Sequence, residues 1–318
     1  RYGLVGSEMC IRDSLDTLKK KFDKIESGSG ESLQNYLDDA GEKYRVAVEK
    51  FIYKPSLSAL EFMELDLLKR LGRLNLFKPI SKHIREYFKD PRLIKLLEFP
   101  SLLLGAKPSN TPALYSIMNY ADLSLGTWYP NGGIRAIATG LYQNALDHNV
   151  EFLFNHPVSK IETKNDIVDH ILVHDKKINC DIVVGGADYH HIENHLMDEK
   201  NRNYNDNYWD KRTMSPSSLL FYLGINKKLD IPHHALFFDT DFDKHAEEIY
   251  DKPQWPKNPL FYVSCTSKTD INVAPKGSEA VFILVPVAPG LNDNENSREI
   301  IFQPVSYTHL TLPTTRSV

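Results

Sequence analysis

The chain has 318 residues, 42% hydrophobic and 25% charged, with a formal net charge of −4. That length suggests two domains or one large one, and the composition is ordinary for a globular protein. A mildly acidic balance gives no global reason to expect nucleic acid. Three cysteines, Cys10, Cys180 and Cys265, stand far apart without CxxC spacing, which argues against a disulfide framework or a zinc site and fits a reducing cytosol. No apolar run approaches the ~20 residues that span a bilayer, so any membrane contact is expected to be peripheral.

In chain order, the two ends stand apart. Residues 1–14 (RYGLVGSEMCIRDS) and 305–318 (VSYTHLTLPTTRSV) resemble translated sequencing-adapter read-through and are set aside from fold reasoning. Leu15, Leu18, Phe22 and Ile25 recur at helical spacing. Gly28-Ser29-Gly30 breaks the run, and Ser32 is placed to cap a second helix whose apolar stripe continues from Leu33 to Phe51. From 58 to 88 the pattern stays helical and turns basic. Asp90-Pro91 opens another helix, with proline suited to the first turn, and Gly105 stops it. Thr111-Pro112 starts the next, to about Leu125, and 134–148 reads as an amphipathic helix.

The period then changes. Residues 150–154, 158–163, 169–174 and 177–184 read as short strands, and 219–225, 260–266 and 279–287 as longer ones. Residues 190–197 and 245–250 read as helices. A helical block followed by strands with inserted helices is α+β or interleaved α/β, and no internal repeat is visible.

Two segments carry chemistry. The first is the run Phe99–Ile134, which closes on Trp128-Tyr129-Pro130-Asn131-Gly132-Gly133. Aromatic side chains beside paired glycines let a flat ligand lie against backbone, because glycine has no Cβ to hold it off. The same residues also read as a helical hairpin ending in a turn. The second is Asp181-Ile-Val-Val-Gly-Gly-Ala-Asp188, an apolar strand running into two glycines and a carboxylate. Ligands in α/β sheets sit beyond such strand ends, and a plain turn with Asp188 capping the next helix is an equal reading. Three other patterns fail their tests. Gly28-Ser-Gly30 lacks the third glycine of a dinucleotide fingerprint and follows a helix. His191 and His195 have the spacing of a helical metal site, but HExxH needs Glu directly after the first His. Asp239-Thr-Asp241-Phe-Asp243 has Lys244 where a calcium loop needs Gly.

The string from Phe99 to Ile134 closely resembles the carotenoid (phytoene) desaturases, FAD-dependent enzymes of the amine-oxidase-like flavoprotein superfamily. SSLLFYLGINKKL, HHALFFDTDFDKHAEEIY, QWPKNPLFYVSCTSKTD and EAVFILVPVAPG resemble the bacterial members in the same order. The resemblance covers most of 15–296. It implies an α/β (α+β), incomplete two-domain flavoprotein: a mainly helical substrate- and membrane-facing region over 15–148, part of the FAD-binding domain over 149–200, and a substrate-domain sheet over 201–304. It implies that the phosphate-binding fingerprint and the closing flavin segment lie outside this chain.

For FAD, the resemblance assigns Val158 to the adenine, Gly185, Gly186, Ala187 and Asp188 to the cofactor's neighbourhood, and Gly132 and Gly133 to the flavin ring, with free N–H groups on the following helix. For an apolar polyene it implies a tunnel lined by Leu103, Leu104, Tyr115, Met118, Tyr120, Trp128 and Tyr129. Glu61, Glu64 and Asp66 are candidate proton acceptors. The implied reaction is dehydrogenation of phytoene or a related polyene, with quinone or oxygen reoxidising the flavin. The basic stretch 65–95 is then the surface that docks on lipid, at the inner face of the cell membrane on the cytoplasmic side. A carotenoid isomerase or another amine-oxidase-like enzyme, and a non-enzymatic lipid- or membrane-binding protein, are the competing readings.

Overall fold

A computed structural model describes residues 8–10, 15–50, 52–53, 57–58, 77–237 and 242–308. It divides into two compact units, Arg1–Gly140 with Ser215–Val318, and Leu141–Met214.

In the first unit, helix Leu15–Ile25 is followed by helix Ser29–Lys50. Gly28 alone takes the left-handed turn between them (φ 81°). The second helix therefore starts three residues before the expected cap at Ser32, and the Asp23 carboxylate accepts the Gly30 N–H at 2.8 Å. Phe22, Leu33, Tyr36 and Leu37 pack with Ile80, Ile84, Phe88, Leu93, Ile94 and Leu97 into one buried cluster. Fully burying a side chain of this size is worth about 1.5–3 kcal/mol. Helix Pro91–Glu98 begins as the sequence predicts, with Asp90 accepting the Arg92 N–H at 2.9 Å. Buried Asn119, on helix Ser116–Tyr120, donates to the Tyr36 hydroxyl at 2.7 Å and to the Leu97 carbonyl at 3.0 Å. Those two bonds tie three helical segments together. The basic stretch up to residue 76, with Glu61, Glu64 and Asp66, lies outside the described residues.

Strand β1 (Glu8–Cys10) pairs antiparallel with β2 (Trp128–Pro130). Helix Arg135–Asp147 follows and buries no side chain, so the expected amphipathic face has no core beneath it.

The second unit is built on a three-stranded meander: β3 (Val158–Lys164), β4 (Ile167–Val173) and β5 (Lys176–Asn179). Its two hairpins turn at Asn165-Asp166 and His174-Asp175, all four at positive φ. That is the backbone a two-residue hairpin needs, because its twist matches that of the strands. Two expectations fail in this unit. Residues 150–154 form no strand; instead Phe152 packs on Tyr142 (ring centroids 4.5 Å) and beside Phe154 (6.0 Å). The strand expected over 177–184 stops at Asn179. An apolar segment becomes a strand only where a neighbour takes its N–H and C=O groups. Among the described residues none pairs with 180–186, where Ile182 and Val184 are 79% and 89% exposed.

The chain then returns to the first unit with β6 (Ser217–Ile225), β7 (His234–Phe237), β8 (Phe261–Cys265) and β9 (Glu279–Val287). These form a wholly antiparallel sheet in the order β6-β9-β8-β7. β7 is not anticipated by the sequence reading. One face is the core: Val281, Ile283, Val285 and Val263 are buried with Ile301 and Val305 of helix Glu295–Thr308, and Phe221 packs on Phe302 at 4.9 Å. Val305, the first residue of the set-aside C-terminal stretch, is fully buried there. Helix Phe242–Tyr250 carries His245, whose ring bonds the Pro286 carbonyl at 2.9 Å. Among the described residues no helix is long and apolar enough to cross a membrane.

Candidate functional site

The corner after β2 is held from inside. Gly132 and Gly133 both sit at φ 84°, a conformation open to glycine and costly to residues with a Cβ. A Cβ on Gly133 would lie 3.3 Å from the Tyr129 hydroxyl. The Gly133 N–H closes on the Pro130 carbonyl at 3.1 Å. The Gly132 N–H donates to the buried Asp270 carboxylate at 2.7 Å, and Asn272 donates its N–H to the same group at 2.9 Å. These backbone bonds, Asn272 first, hold Asp270 below the usual carboxylate range.

Several N–H groups around Gly133 already have acceptors. The Gly132 amide is taken by Asp270, and Ala136 and Ile137 donate to the Gly133 and Ile134 carbonyls at 2.9 and 3.1 Å.

From this corner a line of rings crosses the outer face of the sheet. Tyr129 is buried and meets the His233 ring edge-on at 5.1 Å. His233 is buried with Nδ1 on the Thr269 hydroxyl at 2.7 Å, and burial pushes it down to about 4, so it is neutral at physiological pH. His234 lies 4.5 Å from His233, stacks on Tyr262 at 5.6 Å and bonds that residue's hydroxyl through Nδ1. Tyr262 in turn meets Phe282 at 6.4 Å, and Phe282 meets Tyr222 at 5.2 Å.

The register explains why these residues share one face. Tyr222, Phe282, Ser264 and His234 stand opposite one another across the four strands, and Leu220, Leu284, Tyr262 and Leu236 form the next row. Side chains two apart on a strand share a face. This face is apolar and open, with Tyr222 77% exposed. An apolar face left open in this way marks an interaction or ligand-binding surface.

The remaining expected tunnel residues scatter. Trp128 is 55% exposed at the corner. Tyr115 and Leu104 are exposed, Met118 is half-buried, and nothing is described of the Leu103 side chain. Tyr120 packs on Tyr44 at 5.4 Å, against helix Ser29–Lys50, and lines a cavity of about 460 Å³ with Asp38, Asp39, Glu42 and Arg45.

Beside that cavity lies a buried charge cluster. Lys43 is ion-paired with Asp39 and lies 3.2 Å from His83 Nε2, which is 3.0 Å from the same carboxylate. Burial pulls Lys43 down, while hydrogen bonds from His83 and Lys43 outweigh burial and hold Asp39 low.

In the second unit, Val158 opens β3 opposite Val173. Gly185, Gly186, Ala187 and Asp188 are exposed and irregular. Asp188 caps the following helical turn by accepting the His191 N–H at 2.9 Å, as the turn reading expects. The predicted helix over 190–197 is one turn at Tyr189–His191 and a wider, π-type turn at Ile192–Leu196. Among the described residues no group of three His, Cys, Asp or Glu side chains is placed to hold a metal. Residues 239–241 of the rejected calcium-like loop lie outside the described ones.

A flavin dinucleotide fits part of what is present. A Cβ on Gly186 would meet nothing within 4 Å, whereas one on Gly185 would run into the Ile192 side chain at 2.5 Å. The phosphate-cradling Gly-x-Gly-x-x-Gly occurs nowhere in the 318 residues.

Sequence reasoning missed His233, His234, Tyr262 and Asp270. Their signal was the His233-His234 pair ahead of an alternating Ala-Leu-Phe run, and an aspartate just past β8.

The flavin containing amine oxidoreductase profile matches residues 10–243. A carotenoid 3,4-desaturase of Haloarcula japonica is 34% identical over 92% of this chain and 60% of its own length. A zeta-carotene-forming phytoene desaturase of Myxococcus xanthus is 25% identical over 88% of the chain and 54% of its own length. Among solved structures, an oxidoreductase from Methanosarcina mazei overlays 74% of this chain and 51% of its own with a TM-score of 0.49 at 19% identity. The chain thus spans between about half and three fifths of the length of these relatives.

Proposed function

Since the chain belongs to the flavin containing amine oxidoreductase family and resembles its carotenoid desaturases, we propose that the protein dehydrogenates an apolar polyene such as phytoene with FAD as cofactor. The observation that carries this reading is the open, ring-lined sheet face that starts at the Gly132-Gly133 corner and ends at Tyr222. Leu220, Leu284, Leu236 and Phe282 offer an elongated hydrocarbon a surface to which the strands contribute no carboxylate, lysine or arginine.

The bound flavin supplies a two-electron hydride acceptor. This chain's residues bind and align. On the family resemblance, the Gly132-Gly133 turn would lie beside the flavin ring. The outer sheet face guides the polyene. Fixing the reacting carbon and excluding water are the protein's main contributions, because the polyene delocalises the developing charge itself. A hydrocarbon substrate resides in lipid, so the protein works docked on the inner face of the cell membrane, and quinone or oxygen takes the electrons on.

The test uses the protein expressed with the coding sequence that flanks this chain, loaded with FAD and given phytoene in vesicles. The expected result is stoichiometric bound flavin and a red-shifted polyene spectrum as conjugation lengthens. Unchanged phytoene, with a soluble amine oxidised in its place, would refute the reading.

A further inference from the structure

Dehydrogenation removes a proton as well as a hydride, and the outer sheet face carries no carboxylate to receive it. Its strand positions are Ser218, Leu220, Tyr222, Gly224, Ala280, Phe282, Leu284, Pro286, Tyr262, Ser264, His234 and Leu236. Resting on the reading above, we propose that His234 is the catalytic proton acceptor, its Nδ1–H held by the Tyr262 oxygen and its Nε2 lone pair open to the polyene.

The geometry supports each part. Nδ1 is engaged with the Tyr262 hydroxyl, which fixes the ring, and among the described residues Nε2 has no hydrogen-bond partner. His234 is exposed on a face that otherwise carries Leu, aromatic, small and hydroxyl side chains, between Tyr262 and the corner residues His233 and Tyr129. Burial lowers His234 and raises Tyr262, so the pair rests as neutral imidazole and neutral phenol; Asp122 pulls His234 the other way. The groups that face it are thus Tyr262, His233 and Asp122.

The step balances. One hydride leaves an allylic carbon for the oxidised flavin. One proton leaves the neighbouring carbon for Nε2, and the electron pair of that C–H bond becomes the new C=C. A C–H beside a delocalised cation is strongly acidic, so a weak imidazole base suffices. The imidazolium formed keeps its Nδ1–H on Tyr262 and gives up the Nε2 proton to solvent once the product has left.

The test compares wild type, His234→Ala and Tyr262→Phe as full-length, flavin-loaded proteins. Single-turnover formation of the more conjugated product should fall on the order of 10²–10⁴-fold in His234→Ala, the usual contribution of general acid–base catalysis. Added imidazole should restore part of the rate. The wild-type rate should fall as pH drops through the histidine's lowered pKa, and that limb should vanish in His234→Ala. A readout independent of turnover is the ¹⁵N spectrum of the His234 ring, whose Nδ1–H signal should lose its hydrogen-bonded shift in Tyr262→Phe. Polyene binding, read by tryptophan quenching, should stay within about twofold, since a base contributes to the barrier more than to substrate affinity. Wild type that turns over while His234→Ala keeps its rate, or ignores imidazole, overturns the assignment alone. Wild type that never reduces its flavin overturns the desaturase reading and this assignment with it.

Discussion

Replacing Asp270 with alanine tests how the glycine corner is built. The carboxylate is 3% exposed and accepts two backbone N–H groups, from Gly132 at 2.7 Å and Asn272 at 2.9 Å. A hydrogen bond to a charged group is worth about 1.5–3 kcal/mol net. Gly132 and Asn272 are themselves exposed, so water recovers part of each lost bond. The expected cost is about 2 kcal/mol for the pair, below the sum of two such bonds. For a chain of 318 residues that lowers Tm by about 3 °C. Asp270→Asn keeps one acceptor oxygen and should lose roughly half as much. The acid dependence has a definite sign. The folded carboxyl is held below its ordinary value of 3.8, so its contribution is full above the unfolded pKa and fades as pH falls through the folded one. Asp270→Asn should abolish that part of the acid sensitivity. Urea unfolding of the three proteins at pH 7 and between pH 5 and 3 gives all of these quantities. An alanine variant within about 0.5 kcal/mol of wild type, the range of an ordinary surface change, would refute the claim that Asp270 holds the corner.

Three further outcomes follow from the packing. Glu279 is buried and held at about 2, burial opposing and the bonds from Lys268 (2.8 Å) and Ser267 outweighing it; Lys268→Met should cost about 3 kcal/mol and move acid unfolding to higher pH, read by circular dichroism across a pH series. Ile283→Ala, in the central strand with no exposed surface, should cost about 2–5 kcal/mol, whereas Tyr222→Ser on the outer face should cost under about 0.5 kcal/mol while weakening polyene binding; equal costs would mean that both faces are core. Asp39→Asn strands the buried Lys43 ammonium and should cost about 3 kcal/mol, recovered in part by the double variant with Lys43→Met; a neutral single variant would show that the cluster is solvated.

The helical half was legible because its punctuation is local. Asp90-Pro91 caps and starts a helix through one side-chain bond within two residues. Strand β9 is likewise plain, since the residues at positions 281, 283, 285 and 287 alternate with less buried ones over nine residues. The failures share a cause. Residues 150–154 and 180–184 have strand composition, but a strand is a property of two segments, and no neighbour pairs with them among the described residues. β7 was missed for the converse reason. His234-Ala-Leu-Phe237 is four residues long, and β8 supplies the ladder that makes it a strand.

The candidate site divides in the same way. Gly132 and Gly133 were found because positive φ writes itself into residue type. Asp270, which fixes that turn, lies 138 residues away, and no local pattern links the two. His234 and Tyr262 meet only through the register that sets β7 against β8, with Leu236 opposite Tyr262 and His234 one row further along. Slipping β7 by one residue would turn His234 into the core and Ala235 outward. The chemistry proposed for this face therefore rests on strand register more than on any motif. That makes the register itself testable: a disulfide between cysteines placed at Ala235 and Val263, which face each other on the buried side, should form readily in the flavin-loaded enzyme and leave its rate intact. A crosslink that forms only with loss of the polyene site would show that the two strands pair differently in the working enzyme.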